Sequence, residues 1–100
     1  MAERITPSTG NVFEDLGFPK EEAENLKVRS SLMALIRAIV EEEGLTQARA
    51  AKLFGVTQPR ISDLVRGKIE LFSIDALVNM VAASGRHVEI SIETPKDEEA

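Results

Sequence analysis

The sequence predicts one small, mostly α-helical domain of four to five helices that ends in a short β-strand. Three observations lead to this prediction. Apolar residues recur mostly at three- and four-residue steps over a long segment near 20–43. Three shorter segments each follow a Ser or Thr and end at or near a glycine, as capped helices do. Near the C-terminus, apolar residues 88, 90 and 92 alternate with polar ones, which is the period of a half-buried strand.

The bulk composition fits a single globular domain and excludes several classes of protein. Of the 100 residues, 43% are hydrophobic and 29% are charged. Cys, Trp and Tyr are absent, so we expect an aliphatic core, no disulfide, no thiolate chemistry and a cytoplasmic protein. No signal-peptide pattern is visible, and the longest apolar stretch, 32–40, is interrupted by Arg37 and is too short for a bilayer.

We predict the following organisation along the chain. The domain spans residues 12–93, between a flexible N-terminus at 1–11 and a disordered acidic tail at 94–100. Its elements are an apolar cluster at 12–18, a long first helix at 20–43 ended by Gly44, two short helices within 46–66, a fourth helix at 73–83 and a strand at 87–93.

The third helix has an unusual beginning. Pro59 falls at its second residue, where the missing N–H has no helical partner to lose. Thr57 is the expected N-cap, and we expect its hydroxyl to accept a hydrogen bond from the N–H of Arg60.

Positive charge is concentrated in one part of an acidic chain. The net charge is −5, yet residues 47–68 contain five basic residues and one acidic residue. Local charge sets the field at a binding face, so the short helices are candidates for a nucleic-acid surface. A solvated helical face is the alternative interpretation of this window.

The two short helices have the pattern of a packed pair. Their apolar residues predict a buried seam, formed by Ala50, Ala51, Phe54, Val56, Ile61 and Leu64, with Gly55 in the turn. The polar side chains of the second helix then point outward. A buried seam and an exposed second helix are what a helix-turn-helix requires.

The segment LTQARAAKLFGVTQPRISDLVRGK resembles the Xre-type helix-turn-helix family of phage repressors, in register at its glycine, small and apolar positions. The resemblance covers about 45–85 and implies a repressor-like fold. More narrowly, NVFEDLGF, VTQPRISDL and the closing VEISI resemble antitoxins of the higA type. That resemblance implies binding to an inverted-repeat operator in double-stranded DNA and sequestration of a basic RNase-type toxin.

The family geometry implies which side chains read base edges. The candidates are Gln58, Pro59, Arg60, Ser62, Asp63 and Arg66. Gln58 leads the helix and matches adenine N6 and N7, whereas the arginines suit either guanine or phosphate. Asp63 suits either cytosine N4 or an arginine partner, and Pro59 offers an apolar surface to a thymine methyl.

Phosphate contacts are expected from Gln47, Arg49, Thr57 and Lys68, with Gln47 at the start of a helix where the N–H groups and the dipole favour anions. One module binds weakly, so we expect a homodimer. A lone strand is unstable, and Val88, Ile90 and Ile92 are expected to pair with the same strand of a second subunit. Residues 3–6 are a weaker candidate partner strand.

Other candidates have plainer interpretations. His87 is a lone histidine, so we predict no metal site and no cofactor. Glu41, Glu42 and Glu43 suit a solvated face, or a docking surface for a basic toxin. No catalytic constellation is present, so we expect no enzyme.

Two functions remain: a DNA-binding repressor, with or without an antitoxin role, and a protein–protein interaction module that neutralises a partner without specific DNA binding.

Overall fold

The computed structural model describes residues 11–94, and within that range the chain forms five α-helices. They are α1 (Val12–Asp15), α2 (Lys20–Glu42), α3 (Gln47–Phe54), α4 (Gln58–Val65) and α5 (Ile74–Ala83), with a 3-10 turn at Ile69–Leu71 between α4 and α5. The N-terminal residues 1–10, with the candidate strand at 3–6, and the tail at 95–100 lie outside the described residues, so those predictions are not tested.

The long helix α2 forms one wall of the core, as its apolar spacing predicts. Its buried residues are Ala23, Leu26, Met33, Ile36 and Val40. The helix ends at Glu42, one residue before the predicted boundary. Gly44 follows in the left-handed region, and the N–H of Leu45 donates to the carbonyl of Val40 at 3.0 Å. This is a glycine-terminated cap that satisfies a last carbonyl of the helix.

The apolar cluster before α2 forms a one-turn helix, which the sequence pattern did not predict. The side chain of Asn11 accepts a hydrogen bond from the N–H of Phe13 at 2.8 Å and donates one to the carbonyl of Ala23 at 2.8 Å. Asn11 therefore caps α1 and ties it to α2. The predicted boundary of a flexible N-terminus at residue 11 stays a prediction.

The core lies between α2, α3, α4 and α5. The largest fully buried side chains are Phe54, Phe72, Ile36, Ile61, Leu64 and Leu77. The prediction of a purely aliphatic core is therefore wrong, because two of the four phenylalanines fill its centre. Their rings supply large apolar area in a chain that has no Trp or Tyr.

The predicted C-terminal β-strand at 87–93 is not present. Residues 86–94 follow α5 without regular secondary structure. Val88 packs against the core, whereas Ile90 is 77% exposed and Ile92 is 94% exposed. The physical reason is that a strand needs a hydrogen-bonded neighbour, and no other extended segment within residues 11–94 pairs with it.

No helix in the range 11–94 combines the length and the apolar character needed to cross a membrane. Over the same residues, no group of three or more carboxylate or imidazole side chains is placed to hold a metal ion, and His87 lies exposed at the surface.

Candidate nucleic-acid interface

The turn between α3 and α4 depends on Gly55. This residue ends α3 with φ = 71°, in the left-handed region that favours glycine. The next N–H, from Val56, donates to the carbonyl of Ala51 at 3.0 Å. The chain thus changes direction over residues 55–57, and Thr57 is the N-cap of α4. The predicted break at Gly55 is confirmed.

The predicted seam between the two helices is buried. Ala50 and Ile61 are completely buried, and Ala51, Phe54 and Leu64 are 7%, 1% and 1% exposed. Val56 is half-buried in the turn and packs against the same cluster. Small residues on α3 allow α4 to lie close, and Ile61 and Leu64 fix one face of α4 against the core. The other faces of α4 remain available to solvent.

The outward side chains of α4 differ in how far they are exposed. Gln58 and Pro59 at the beginning of the helix and Arg66 after its end are exposed, whereas Ser62 and Asp63 are half-buried. Within residues 11–94, no hydrogen bond or ion pair joins Asp63 to Arg60 or Arg66. The predicted arginine partner for Asp63 is therefore not formed in the free protein, and its carboxylate is not committed to either residue.

Arg60 lies apart from this outward group. Its guanidinium carbon is 4.4 Å from the centroid of the Phe72 ring, and its Nη1 donates to the carbonyl of Leu71 at 3.0 Å. The side chain therefore reaches the turn that follows α4. Sequence reasoning did not find this contact, because Phe72 lies twelve residues away and carries no local signal.

The beginning of α4 is capped differently from the prediction. Thr57 occupies the N-cap position with extended backbone, but its side chain makes no capping hydrogen bond. The N–H of Arg60 donates instead to the carbonyl of Thr57, at 3.1 Å. The expected bond from Arg60 to the Thr57 hydroxyl is therefore wrong. The hydroxyl is exposed and uncommitted, which leaves it suited to an external acceptor or donor.

The N-terminus of α3 has a side-chain cap and exposed polar side chains. The hydroxyl of Thr46 accepts from the N–H of Arg49 at 3.1 Å, which confirms for α3 the cap that a Thr just before a short helical segment predicts. Gln47 and the side chain of Arg49 are exposed beside it. Lys68 is half-buried at the start of the 3-10 turn. The predicted phosphate candidates thus sit at the first turns of α3 and α4 and just after α4.

Two arginines of α2 bond to the end of α4 and to the turn that follows it, and sequence reasoning did not identify them. The Nη1 of Arg37 donates to the carbonyl of Val65 at 3.1 Å, at the last residue of α4. The Nη1 of Arg29 donates to the carbonyls of Ile69 and Phe72 at 3.2 and 3.3 Å. The available signal was the position of Arg37 within an otherwise apolar stretch, which is typical of a side chain that has a specific partner.

The buried seam, the tight glycine turn and the exposed polar second helix define the class of helix-turn-helix proteins. A family model described as a helix-turn-helix domain matches residues 12–93, and the chain belongs to that family.

A solved structure supports the same assignment and narrows it. That structure carries the provisional description of an XRE family transcriptional regulator. It is 32% identical, superimposes with a TM-score of 0.69, and the match covers 79% of this chain and 89% of that one. The predicted resemblance to the Xre-type family is thereby confirmed. No curated protein matches the chain at a significant level, and the narrower resemblance to higA-type antitoxins stays a prediction.

Proposed function

We propose that this chain is a sequence-specific DNA-binding transcriptional repressor that binds an inverted-repeat operator as a homodimer. The observation that carries the proposal is the exposed N-terminal end of α4, led by Gln58 and Pro59, on a helix whose opposite face is fixed by Ile61 and Leu64. A helix held in this way can enter the major groove without any rearrangement of the core.

Base reading is assigned first to Gln58. Its amide offers a donor and an acceptor together, which matches N6 and N7 of adenine. Pro59 adds an apolar surface next to it, and both side chains are exposed at the end of α4 that leads into the groove. Ser62, Asp63 and Arg66 lie further along the helix and contact either bases or the edges of the groove.

Phosphate binding is assigned to the elements that flank α4. Gln47 and Arg49 are exposed at the N-terminus of α3, where the helix dipole and N–H groups favour an anion. Thr57 adds a hydroxyl without a capping role, and Lys68 adds a positive charge just after α4. These contacts fix the register of α4 on the duplex and do not read the sequence.

A homodimer is part of the proposal because one such module contacts a short half-site. An apolar cavity of about 510 Å³ opens beside α2, lined in part by Leu32, Leu35, Ile39 and Val88. Leu35 is 58% exposed there, and Ile90 and Ile92 extend from the same segment as Val88. A second copy would cover these apolar groups and set two α4 helices about 34 Å apart on the DNA.

The narrower proposal is that the repressor is the antitoxin of a toxin–antitoxin pair. The resemblance to higA-type antitoxins supports it, and Glu41 and Glu42 are exposed acidic groups at the end of α2 that suit a basic toxin. Glu43 is already paired with Arg86 at 2.6 Å. The test is co-expression with the product of a neighbouring small, very basic reading frame. If that product arrests growth and this chain does not relieve the arrest, the antitoxin role is contradicted.

The DNA-binding proposal is tested by selection from a random duplex library with the purified wild-type chain. We expect a consensus with two inverted half-sites, and affinity that falls steeply as the salt concentration rises. The alternative function is a protein–protein interaction module on the same scaffold. Recovery of sequences without any consensus would support that alternative and contradict the proposal.

A further inference from the structure

Two arginines from different helices bind the turn between α4 and α5. Arg29 of α2 donates to the carbonyls of Ile69 and Phe72, at 3.2 and 3.3 Å, and its Nε donates to Asn25 at 2.7 Å. Arg60 of α4 donates to the carbonyl of Leu71 at 3.0 Å. Three of the four carbonyls of residues 69–72 are therefore bound by guanidinium groups, and this turn is fixed to both helices.

The ring of Phe72 connects Arg60 and the 69–72 turn to the core. Phe72 is 1% exposed, and the guanidinium of Arg60 lies over its ring at 4.4 Å. A planar guanidinium can stack on a ring and donate a hydrogen bond at the same time, which an ammonium group cannot do with the same geometry. Arg60 thus uses both its charge and its shape inside the protein.

We propose that Arg60 is a positioning residue that fixes α4 relative to the 69–72 turn, and that it does not read a base or bind a phosphate. The inference rests on the proposed DNA-binding function and revises one residue of the predicted reading set. Its physical basis is that the guanidinium already stacks on Phe72 and donates to Leu71. A base contact that moved the guanidinium away from the turn would cost both of these interactions.

The consequence for DNA binding is geometric. Lys68 lies at the start of the fixed turn, and Gln58 lies at the opposite end of α4. Arg60 holds the turn against α4, which favours the phosphate contact from Lys68 and the base contact from Gln58 being made together. Without Arg60, the turn loses a guanidinium on the α4 side and retains Arg29 on the α2 side.

The first test compares the wild-type chain with Arg60→Ala and Arg60→Lys by selection from random duplexes and by titration at several salt concentrations. We expect both variants to select the wild-type consensus with the wild-type salt dependence, and to bind roughly tenfold more weakly. A consensus that loses preference at one base pair in Arg60→Ala would overturn the inference in favour of base reading. If Arg60→Lys binds with full affinity and Arg60→Ala lowers the salt slope by about one, the inference is overturned and Arg60 binds a phosphate.

The second test uses Phe72→Leu, which removes the ring at a site too deeply buried to touch DNA. We expect this variant to show the same loss of affinity as Arg60→Ala with the consensus unchanged, and the double variant to lose little more. Additive losses would overturn the inference, because they would show that the two side chains act separately.

If the wild-type chain itself selects no consensus, the proposed function fails. A changed consensus in the variants alone overturns this inference and leaves that function in place.

A third measurement detects the contact between Arg60 and Phe72 in the absence of DNA. In NMR spectra of the full chain, we expect the δ protons of Arg60 to show the ring-current shift of a side chain above an aromatic ring, and Phe72→Leu to remove that shift. Amide exchange at Leu71 and Phe72 should accelerate in Arg60→Lys, while exchange at the buried Ala50 and Ala51 stays unchanged. An unshifted Arg60 in the wild-type chain would overturn the inference.

Discussion

Gly55, in the turn of the helix-turn-helix, lies beside Ala83 of α5: a Cβ added to Gly55 would be 3.4 Å from the Cβ of Ala83. That separation is an ordinary van der Waals contact, so space alone does not demand glycine. The backbone does, because φ is 71° at this residue. The requirement at Gly55 is therefore conformational, and it can be separated from packing by experiment.

Gly55→Ala should lower the free energy of unfolding by about 1–2 kcal/mol, the cost of placing a side chain in the left-handed region. Gly67→Ala is the matched control, since Gly67 has φ = 76° and nothing within 4 Å of the added Cβ. We expect similar losses for the two variants in urea denaturation followed by circular dichroism. A loss at Gly55 larger by more than about 2 kcal/mol would contradict this account and show a clash with Ala83.

The two threonine N-caps should respond differently to alanine. Thr46→Ala removes a hydrogen bond to the N–H of Arg49 and should cost about 1 kcal/mol of stability. Thr57→Ala removes no cap bond, so stability should change by less than about 0.5 kcal/mol, while affinity for DNA should fall through loss of a phosphate contact. Thermal unfolding and DNA titration of both variants check this. Equal destabilisation by the two changes would show that the Thr57 hydroxyl does cap α4.

The homodimer should depend on the apolar side chains of the C-terminal segment. Replacing Ile90 and Ile92 together by Asp places charge in the surface expected to be covered and should yield a monomer by light scattering. Ser91→Asp is the control for position, because it adds one negative charge between the two isoleucines and leaves both apolar side chains in place. Loss of the dimer should also weaken DNA binding. A double variant that stays dimeric would show that the subunits meet elsewhere.

Phosphate contacts should be visible in the salt dependence of binding. Lys68→Gln should reduce the slope of log affinity against log salt by about one and should weaken binding to specific and unrelated duplexes alike. Lys27→Gln is a suitable control, because Lys27 lies on α2, outside the helix-turn-helix segment and outside the cavity proposed as the dimer surface. A change in slope at Lys27 equal to that at Lys68 would mean that DNA lies on a different face from the one proposed.

Local patterns in the sequence predicted the helices and the seam, because both depend on residues close in the chain. The apolar steps of α2 and the glycines after α2 and α3 located boundaries to within one residue at Glu42 and Phe54. The same reasoning placed Ala51, Ile61 and Leu64 in the buried seam.

Features that depend on distant partners were not predictable in this way. Arg60 meets Phe72 across a turn, and Arg29 meets the carbonyl of Phe72 from 43 residues away. Period-two alternation at 88–92 describes a surface that could pair, but it does not supply the neighbour that a strand requires. The predicted cap at Thr57 failed for a local reason, because the N–H of Arg60 donates to the backbone carbonyl of Thr57 and not to its hydroxyl.

The most direct test of the central claim is the base preference of Gln58→Ala, measured by selection from random duplexes beside the wild-type chain. Asn79→Ala, which truncates an exposed amide on α5, is the control. We predict that Gln58→Ala loses discrimination at one base pair in each half-site, worth about 1–3 kcal/mol, while Asn79→Ala selects the wild-type consensus. A Gln58→Ala variant that selects the wild-type consensus with undiminished affinity would contradict the claim that the N-terminal end of α4 reads DNA.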